Sequence, residues 1–428
     1  MPDNASRFLR RLSVRLSLVS LACAALAFAL FRPGGAAAAD KGPIRIGFLT
    51  VRTGALAAGG RQMEEGLALY LDQHQGQLAG RKIEVVTLDT AGQPATTKTR
   101  TQEAVERYQV HAIIGPLAAF EALAINDYVK QAKVPVISPS AAAEDLTQRN
   151  LNPWFVRAVT TSAQMNHPLG EYAAKVLKYK RIATIGDDFA FGHETTAGFQ
   201  RTFEENGGKI VQKLWSPLNV ADYGSYVGDL KTDVDAVYAS FAGANGLRFL
   251  RQYAEYGLKG KVPVLGNMTT VDEGILKNMG DEAVGVVSSG WYSAAIDNPD
   301  NHKFVDAYRK KYQADPGYYS AGAYTATLFL DLALQKVKGN IEDKDAFMKA
   351  LRALDIKDSF RGPMHIDQYG NPDLTIYIRK VERKDGRLVN AVVQTYPHVS
   401  QFWKMSPQEF LKSPVYSRSF PEAKNLEK

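Results

Sequence analysis

Short apolar runs rich in β-branched residues recur along this chain, and each is followed within a few residues by a longer stretch of mixed apolar and polar positions. The first run is Ile44–Thr50, IRIGFLT. It ends in a loop rich in Gly and Ala over 51–60, after which a helix is predicted over 61–75. A strand over 83–88, a helix that Pro94 opens and that reaches 109, and the strand Ala112–Ile114 follow. Next come a helix over 120–131 and a strand over 134–137. Strict alternation of this kind argues for an α/β domain with a mainly parallel sheet. Such a sheet leaves a crevice at the carboxyl ends of its strands, so the loops starting at Gly115 and Ser138 share one rim. Backbone amides at a helix N-terminus, with small hydroxyl residues beside them, make a neutral cradle for an anion such as a carboxylate.

After residues 150–157 the alternation begins again. Helices are predicted over 162–178, 194–206, 223–231, 244–256 and 271–279, and strands over 181–185, 210–215, 236–240 and 262–265. This reads as a second α/β lobe of similar size. A strand over 285–289 leads to Trp291-Tyr292, and helices over 301–312, 323–337 and 344–351 come next. From Gly362 the pattern turns to hairpin strands, 374–381 and 388–394, joined through Lys384-Asp385-Gly386. The tail over 396–421 alternates aromatic and proline residues and reads as an extended arm packed on the body, since so many exposed aromatics are costly in water.

The first residues read as an address. Arg7, Arg10, Arg11 and Arg15 precede an apolar run over 16–31, and Ala36-Ala37-Ala38-Ala39 before Asp40 is a small-residue cleavage pattern. This is the form of a secretory signal peptide over 1–39, which implies a periplasmic protein. The pair Arg10-Arg11 also raises the twin-arginine route, but the rest of that pattern is missing. Cleavage after Ala39 removes Cys23, the only cysteine of the 428 residues, and leaves no disulfide or thiolate chemistry. Residues 1–39 hold five arginines and one aspartate, so their loss lowers the formal charge from +7 to +3. No basic stripe with interleaved aromatics implies a nucleic-acid partner, and no later apolar stretch is long enough to span a bilayer.

IRIGFLT with its Gly-rich loop, AGRKIEVVTLDTAGQP, AIIGPL, VPVISPSAAAEDLT, DDFAFGHE, YGLKGKVPVLG and the segment from Arg361-Gly362-Pro363 to Gly370 occur here in a specific order and spacing. In this the chain resembles the type I periplasmic solute-binding proteins that serve ABC importers of branched-chain amino acids and related compounds. The resemblance implies two Rossmann-like lobes with parallel sheets, joined by a hinge of several chain crossings, with ligand enclosed between them. It places lobe one at 44–158 plus 291–361, lobe two at 159–290 plus 362–395, and a C-terminal arm at 396–428. It also implies a permease in the inner membrane as partner, contact with the membrane only through that permease, and no cofactor.

In the amino-acid binders of that family, a serine and a threonine hold the ligand's carboxylate and ammonium. Here the matching positions are Phe120 or Ala119, and Ala142. The acidic partner for the ammonium would fall near Asn267 and Met268, where there is no acid. Aromatic residues stand instead at Phe120, Phe189, Phe191, Phe241 and Tyr292, which suits a planar apolar ligand. Ser138 and Ser140, with Pro139 and Ala141 between and after them, keep a carboxylate cradle, with Arg52 as a charge-assisted partner. Thr53, Leu117, Ala118 and Ala242 complete the expected ligand site. The tail with Gln401-Phe402-Trp403 resembles the subset of the family associated with aromatic-acid degradation.

The expected function is therefore capture of a small aromatic carboxylate, benzoate-like or phenylpropenoate-like, by lobe closure. An amino-acid binder of the same transporter class and a ligand-sensing module for a membrane receptor are the alternatives. Each phenylalanine taken alone also fits a core, Ser138 and Ser140 also fit helix caps, and Asp187-Asp188 fits a cap or hinge contact better than a metal site. The remaining rival is an exported enzyme. No G-x-S-x-G, G-x-x-x-x-G-K-[ST] or H-E-x-x-H motif occurs to support one.

Overall fold

The computed structural model describes residues 42–427, so the signal-peptide reading of residues 1–39 lies outside the described residues. Two α/β domains with mostly parallel mixed sheets make up the body. The first sheet has six strands in the order β2-β3-β1-β4-β5-β6, where β1 is Ile44–Thr50, β2 Gln77–Leu78, β3 Arg81–Asp89, β4 Ala112–Ile114, β5 Val136–Ser138 and β6 Phe155–Arg157. Strand β1 is central and parallel to both neighbours, with Ile44 beside Ile83 and Phe48 beside Ile114. Its apolar residues are buried on both faces, which is why it reads as a continuous apolar run and not as an alternating one.

The second sheet has nine strands: β7 Arg181–Asp187, β8 Lys209–Ser216, β9 Ala236–Ser240, β10 Val264–Asn267, β11 Val287–Gly290, β12 Asp355–Ile356, β13 Met364–Ile366, β14 Pro372–Lys384 and β15 Arg387–Val399. Strands β11-β10-β9-β7-β8 are parallel, and β14 joins antiparallel to β11, β13 and β15. Helix Tyr318–Lys336 packs along helix Ala57–Gln73 over the first sheet. Among the described residues no helix is long and apolar enough to cross a membrane.

Chain order fixes where the crevices fall. From β1 the chain moves to β3 on one side and then crosses to β4 on the other, so the crossover directions diverge between β1 and β4. In the second sheet they diverge in the same way between β7 and β9. A crevice opens at the carboxyl ends of the strands at each such point. Those ends carry the loops after Thr50, Ile114, Asp187 and Ser240.

Residues 400–427 run along the second domain. Phe402, Phe410 and Tyr416 are buried in a small apolar cluster with Ala163 and Ala197. Arg149, just after the turn Glu144–Thr147, donates to the carbonyl oxygens of Phe410, Ser413 and Pro414.

Candidate functional site

The loops at the two divergence points meet around a narrow cavity, with about 20 Å3 of open space between its walls. One side is Leu56, after β1; Leu117, Ala118 and Ala119, after β4; and Ser140 and Ala142, after β5. Phe189 and Phe191, after β7, and Ala242, after β9, form the facing side. Tyr318 and Tyr319 close it from the first turn of their helix.

Local chemistry explains why these loops hold their shape. Gly115 sits at φ +135°, and a Cβ there would lie 2.5 Å from the Leu49 carbonyl oxygen, so only glycine lets the chain leave β4 this close to β1. The next turn opens helix Ala119–Gln131, where Glu121 accepts from the Ala118 amide at 2.8 Å and from Thr97 Oγ1 at 3.0 Å. Burial raises the Glu121 carboxyl above its ordinary value, against the hydrogen bonds that lower it. Ser138 Oγ donates to the Ala141 carbonyl at 3.0 Å, bending the chain so that Ser140 reaches the cavity. The Tyr318 hydroxyl donates to the Ser140 carbonyl at 2.8 Å.

Asp187 orders the opposite wall. Its two oxygens accept from the Ala242 amide at 2.8 Å and from Asn245 Nδ2 at 2.6 Å. It is fully buried, and that burial pushes its carboxyl up to about 7 despite both bonds. The loop after β9 is thereby tied to the loop after β7. Across the cleft the Phe120 and Phe189 rings meet edge to face at 5.6 Å. Phe189 and Phe191 lie near parallel, 6.0 Å apart.

Seven of the residues singled out from sequence stand together on the cavity wall: Leu117, Ala118, Ala119, Ser140, Phe189, Phe191 and Ala242. Ser138, Pro139 and Ala141 are buried directly behind it. Phe120 packs on Phe189 without lining the space itself. Arg52 is exposed and its guanidinium is engaged by Glu64 at 2.7 and 3.2 Å, while Thr53 lines a separate outer groove.

The others are in the core. Phe241 is fully buried against Tyr223 and Phe249. Asn267 is buried and turns its side chain to Ser240, Thr269 and Thr270. The Met268 carbonyl accepts from Arg379, and Tyr292 packs on Phe304 and Phe360. Among the described residues no group of three or more His, Cys, Asp or Glu could hold a metal, and Asp188 pairs with His193 and Arg418.

Leu56, Tyr318 and Tyr319 join the wall without having been assigned to it from sequence, and Ala142, a position that the resemblance matched to a ligand residue, stands there too. For the tyrosines the signal was obscured by the element boundary. Their helix begins at Tyr318, five residues before the expected start at 323, and this brings both rings to its cleft end. None of the eleven lining side chains is charged. Such a space binds through ring faces, methyl groups and neutral hydrogen-bond donors.

Residues 43–387 match the sequence model of a family described as periplasmic binding protein. A solved ABC transporter substrate-binding protein from Sphaerobacter thermophilus is 33% identical, over 84% of this chain and 99% of that one, with a TM-score of 0.79. A solute-binding protein of an ABC transporter from Rhodopseudomonas palustris BisB5, solved in complex with 3,4-dihydroxybenzoic acid, is 34% identical over 84% and 98% of the two chains, with a TM-score of 0.80. Among curated proteins, Leu/Ile/Val-binding protein homolog 6 of Brucella melitensis biotype 1 is 26% identical over 390 residues, 89% of this chain and 97% of that one.

Proposed function

Because this chain belongs to the periplasmic binding protein family of ABC transporter substrate-binding proteins, we propose that it captures a small aromatic carboxylate between its domains and delivers it to an inner-membrane permease. The observation that carries this reading is the chemistry of the cavity wall. Phe189, Phe191, Tyr318 and Tyr319 offer ring faces and edges, the alanines leave a narrow slot, and no acidic side chain is there to pair with an ammonium group. Aromatic pairs add about 0.5–1.5 kcal/mol each beyond the burial of their surface. The carboxylate would be held by the Ser140 hydroxyl and the amides that open helix Ala119–Gln131, a cradle of neutral donors favoured by the helix dipole. Periplasmic placement, release to a permease and closure of one domain on the other belong to the same reading.

The family's amino-acid binders supply the second reading, favoured by the Leu/Ile/Val-binding name of the curated relative. It requires a carboxylate facing the ligand's ammonium. Asp187, Asp272 and Glu121 each touch a wall residue, and each is engaged by a backbone amide there: Asp187 by Ala242, Asp272 by Tyr318 and Glu121 by Ala118.

The test is Phe191→Ala in a calorimetric titration with benzoate. Losing the ring removes both its stacking and its buried surface, so binding should weaken by about 10- to 100-fold. Unchanged benzoate affinity in that variant would remove the aromatic wall from the account.

A further inference from the structure

Leu56 borders the cavity on one side and, on the other, an outer groove of about 310 Å3 between the two domains. Thr53, Gly92 and Gln93 line that groove from the first domain, and Leu218 and Asn219 line it from the second. No charged side chain is among its lining residues, and Thr53, Gln93 and Asn219 offer neutral hydrogen-bonding groups to an ether, hydroxyl or amide. The partition between the two spaces is thin. Leu56 is only 3% exposed, and it faces Gly243 of the second domain across a close loop-to-loop contact. A Cβ at Gly243 would lie 2.6 Å from the Ala55 carbonyl oxygen and 3.5 Å from Leu56 Cδ2. Leu56 immediately precedes helix Ala57–Gln73 and contributes no side-chain cap to it.

We propose that Leu56 sets the length of aromatic carboxylate that the site accepts, and that the outer groove is a subsite for an uncharged substituent at the end of the ligand remote from its carboxylate. The inference rests on the aromatic-carboxylate reading and adds to it the residue that separates short from long ligands. With the carboxylate held near Ser140, a ligand longer than the inner cavity must pass Leu56 to reach Thr53, Gln93 and Asn219. Truncation of Leu56 joins the two spaces. A larger residue there closes the inner one more tightly.

The experiment titrates the protein with benzoate, 4-methoxybenzoate and 4-butoxybenzoate, a series in which an uncharged para chain lengthens while the carboxylate and ring stay constant. Wild type should bind benzoate and 4-methoxybenzoate and discriminate against 4-butoxybenzoate. In Leu56→Ala the affinity ratio of 4-butoxybenzoate to benzoate should rise at least about tenfold. Leu56→Phe should lower 4-methoxybenzoate relative to benzoate. Where Leu56→Ala fails to fold, Leu56→Val reads the same ratio with a smaller loss of side chain. Benzoate binding with an unchanged ratio in these variants overturns the partition alone. Failure of wild type to bind any member of the series overturns the aromatic reading and the partition with it.

Discussion

Gly59 and Gly66 lie two turns apart on helix Ala57–Gln73, and each is a point of contact with helix Tyr318–Lys336. A Cβ at Gly66 would come within 2.1 Å of the Ser320 carbonyl oxygen, and one at Gly59 within 2.9 Å of the Tyr319 ring. The two glycines thus let the helix that carries Tyr318 and Tyr319 settle close enough for those rings to reach the cavity. Gly66→Ala forces a methyl group against backbone that cannot turn away. It should cost about 1–3 kcal/mol of stability, as overpacking of a filled interior does. Denaturant unfolding measures this directly, and a midpoint equal to that of wild type would show that the helices are free to separate. The same residues explain a boundary that the sequence hides. A glycine costs about 1 kcal/mol in a helix relative to alanine, so Gly59 and Gly60 read as loop. Packing against Tyr319 and Ser320 outweighs that preference, and the helix begins at Ala57.

At the scale of elements, the strands were the most legible part. The run Ile44–Thr50 and the strands Ala112–Ile114 and Ala236–Ser240 stand where their apolar patterns put them. Helix starts were not, and the cleft is built from helix starts. Helices Ala190–Glu205 and Tyr318–Lys336 begin four and five residues earlier than their patterns suggest. Phe189 and Gly317 precede them, and neither is a Ser, Thr, Asp or Asn that would announce an N-terminus. Ring positions on those first turns therefore read as unplaced aromatics. Contacts distant in sequence are equally silent. Nothing near Arg149 foretells that its guanidinium will hold three carbonyl oxygens more than 260 residues away, at Phe410, Ser413 and Pro414. Phe410 lies between that guanidinium and the one of Arg201, with ring centres 5.8 and 5.0 Å away. Gln401 accepts from Thr147 Oγ1 and donates to Asp367. The tail is thus fastened to the turn after β5 as well as to the second domain. Arg149→Ala should lower stability by about 2–4 kcal/mol, since hydrogen bonds to a charged group contribute about 1.5–3 kcal/mol each and the carbonyls it leaves lie partly buried. Thermal unfolding of that variant is the check, and an unchanged midpoint would make the tail a passive appendage.

On the scale of the whole molecule, two mostly parallel sheets present their divergence points to each other, and the candidate ligand site is the space between. Alternation of strand and helix was enough to anticipate two α/β domains. The strand orders, and hence which loops face which, follow from crossovers that no local pattern encodes. That difference accounts for which of the expected residues stand on the cavity wall and which do not. Leu117, Ser140, Phe189 and Ala242, two or three residues past the ends of their strands, reach the wall, whereas Phe241, the first residue after β9, turns into the core, as does Tyr292. A contact across the cleft ties the domains together, the Tyr318 amide donating to Asp272 Oδ1. On the proposed reading, a ligand enclosed there exchanges water for ring faces on several sides and meets neutral donors around Ser140. The most direct measurement is a calorimetric titration of the protein with 4-hydroxybenzoate and, separately, with leucine. The account predicts a dissociation constant on the order of micromolar, about −8 kcal/mol, for the aromatic acid and no heat of binding for leucine. Binding of leucine with no response to 4-hydroxybenzoate would contradict it.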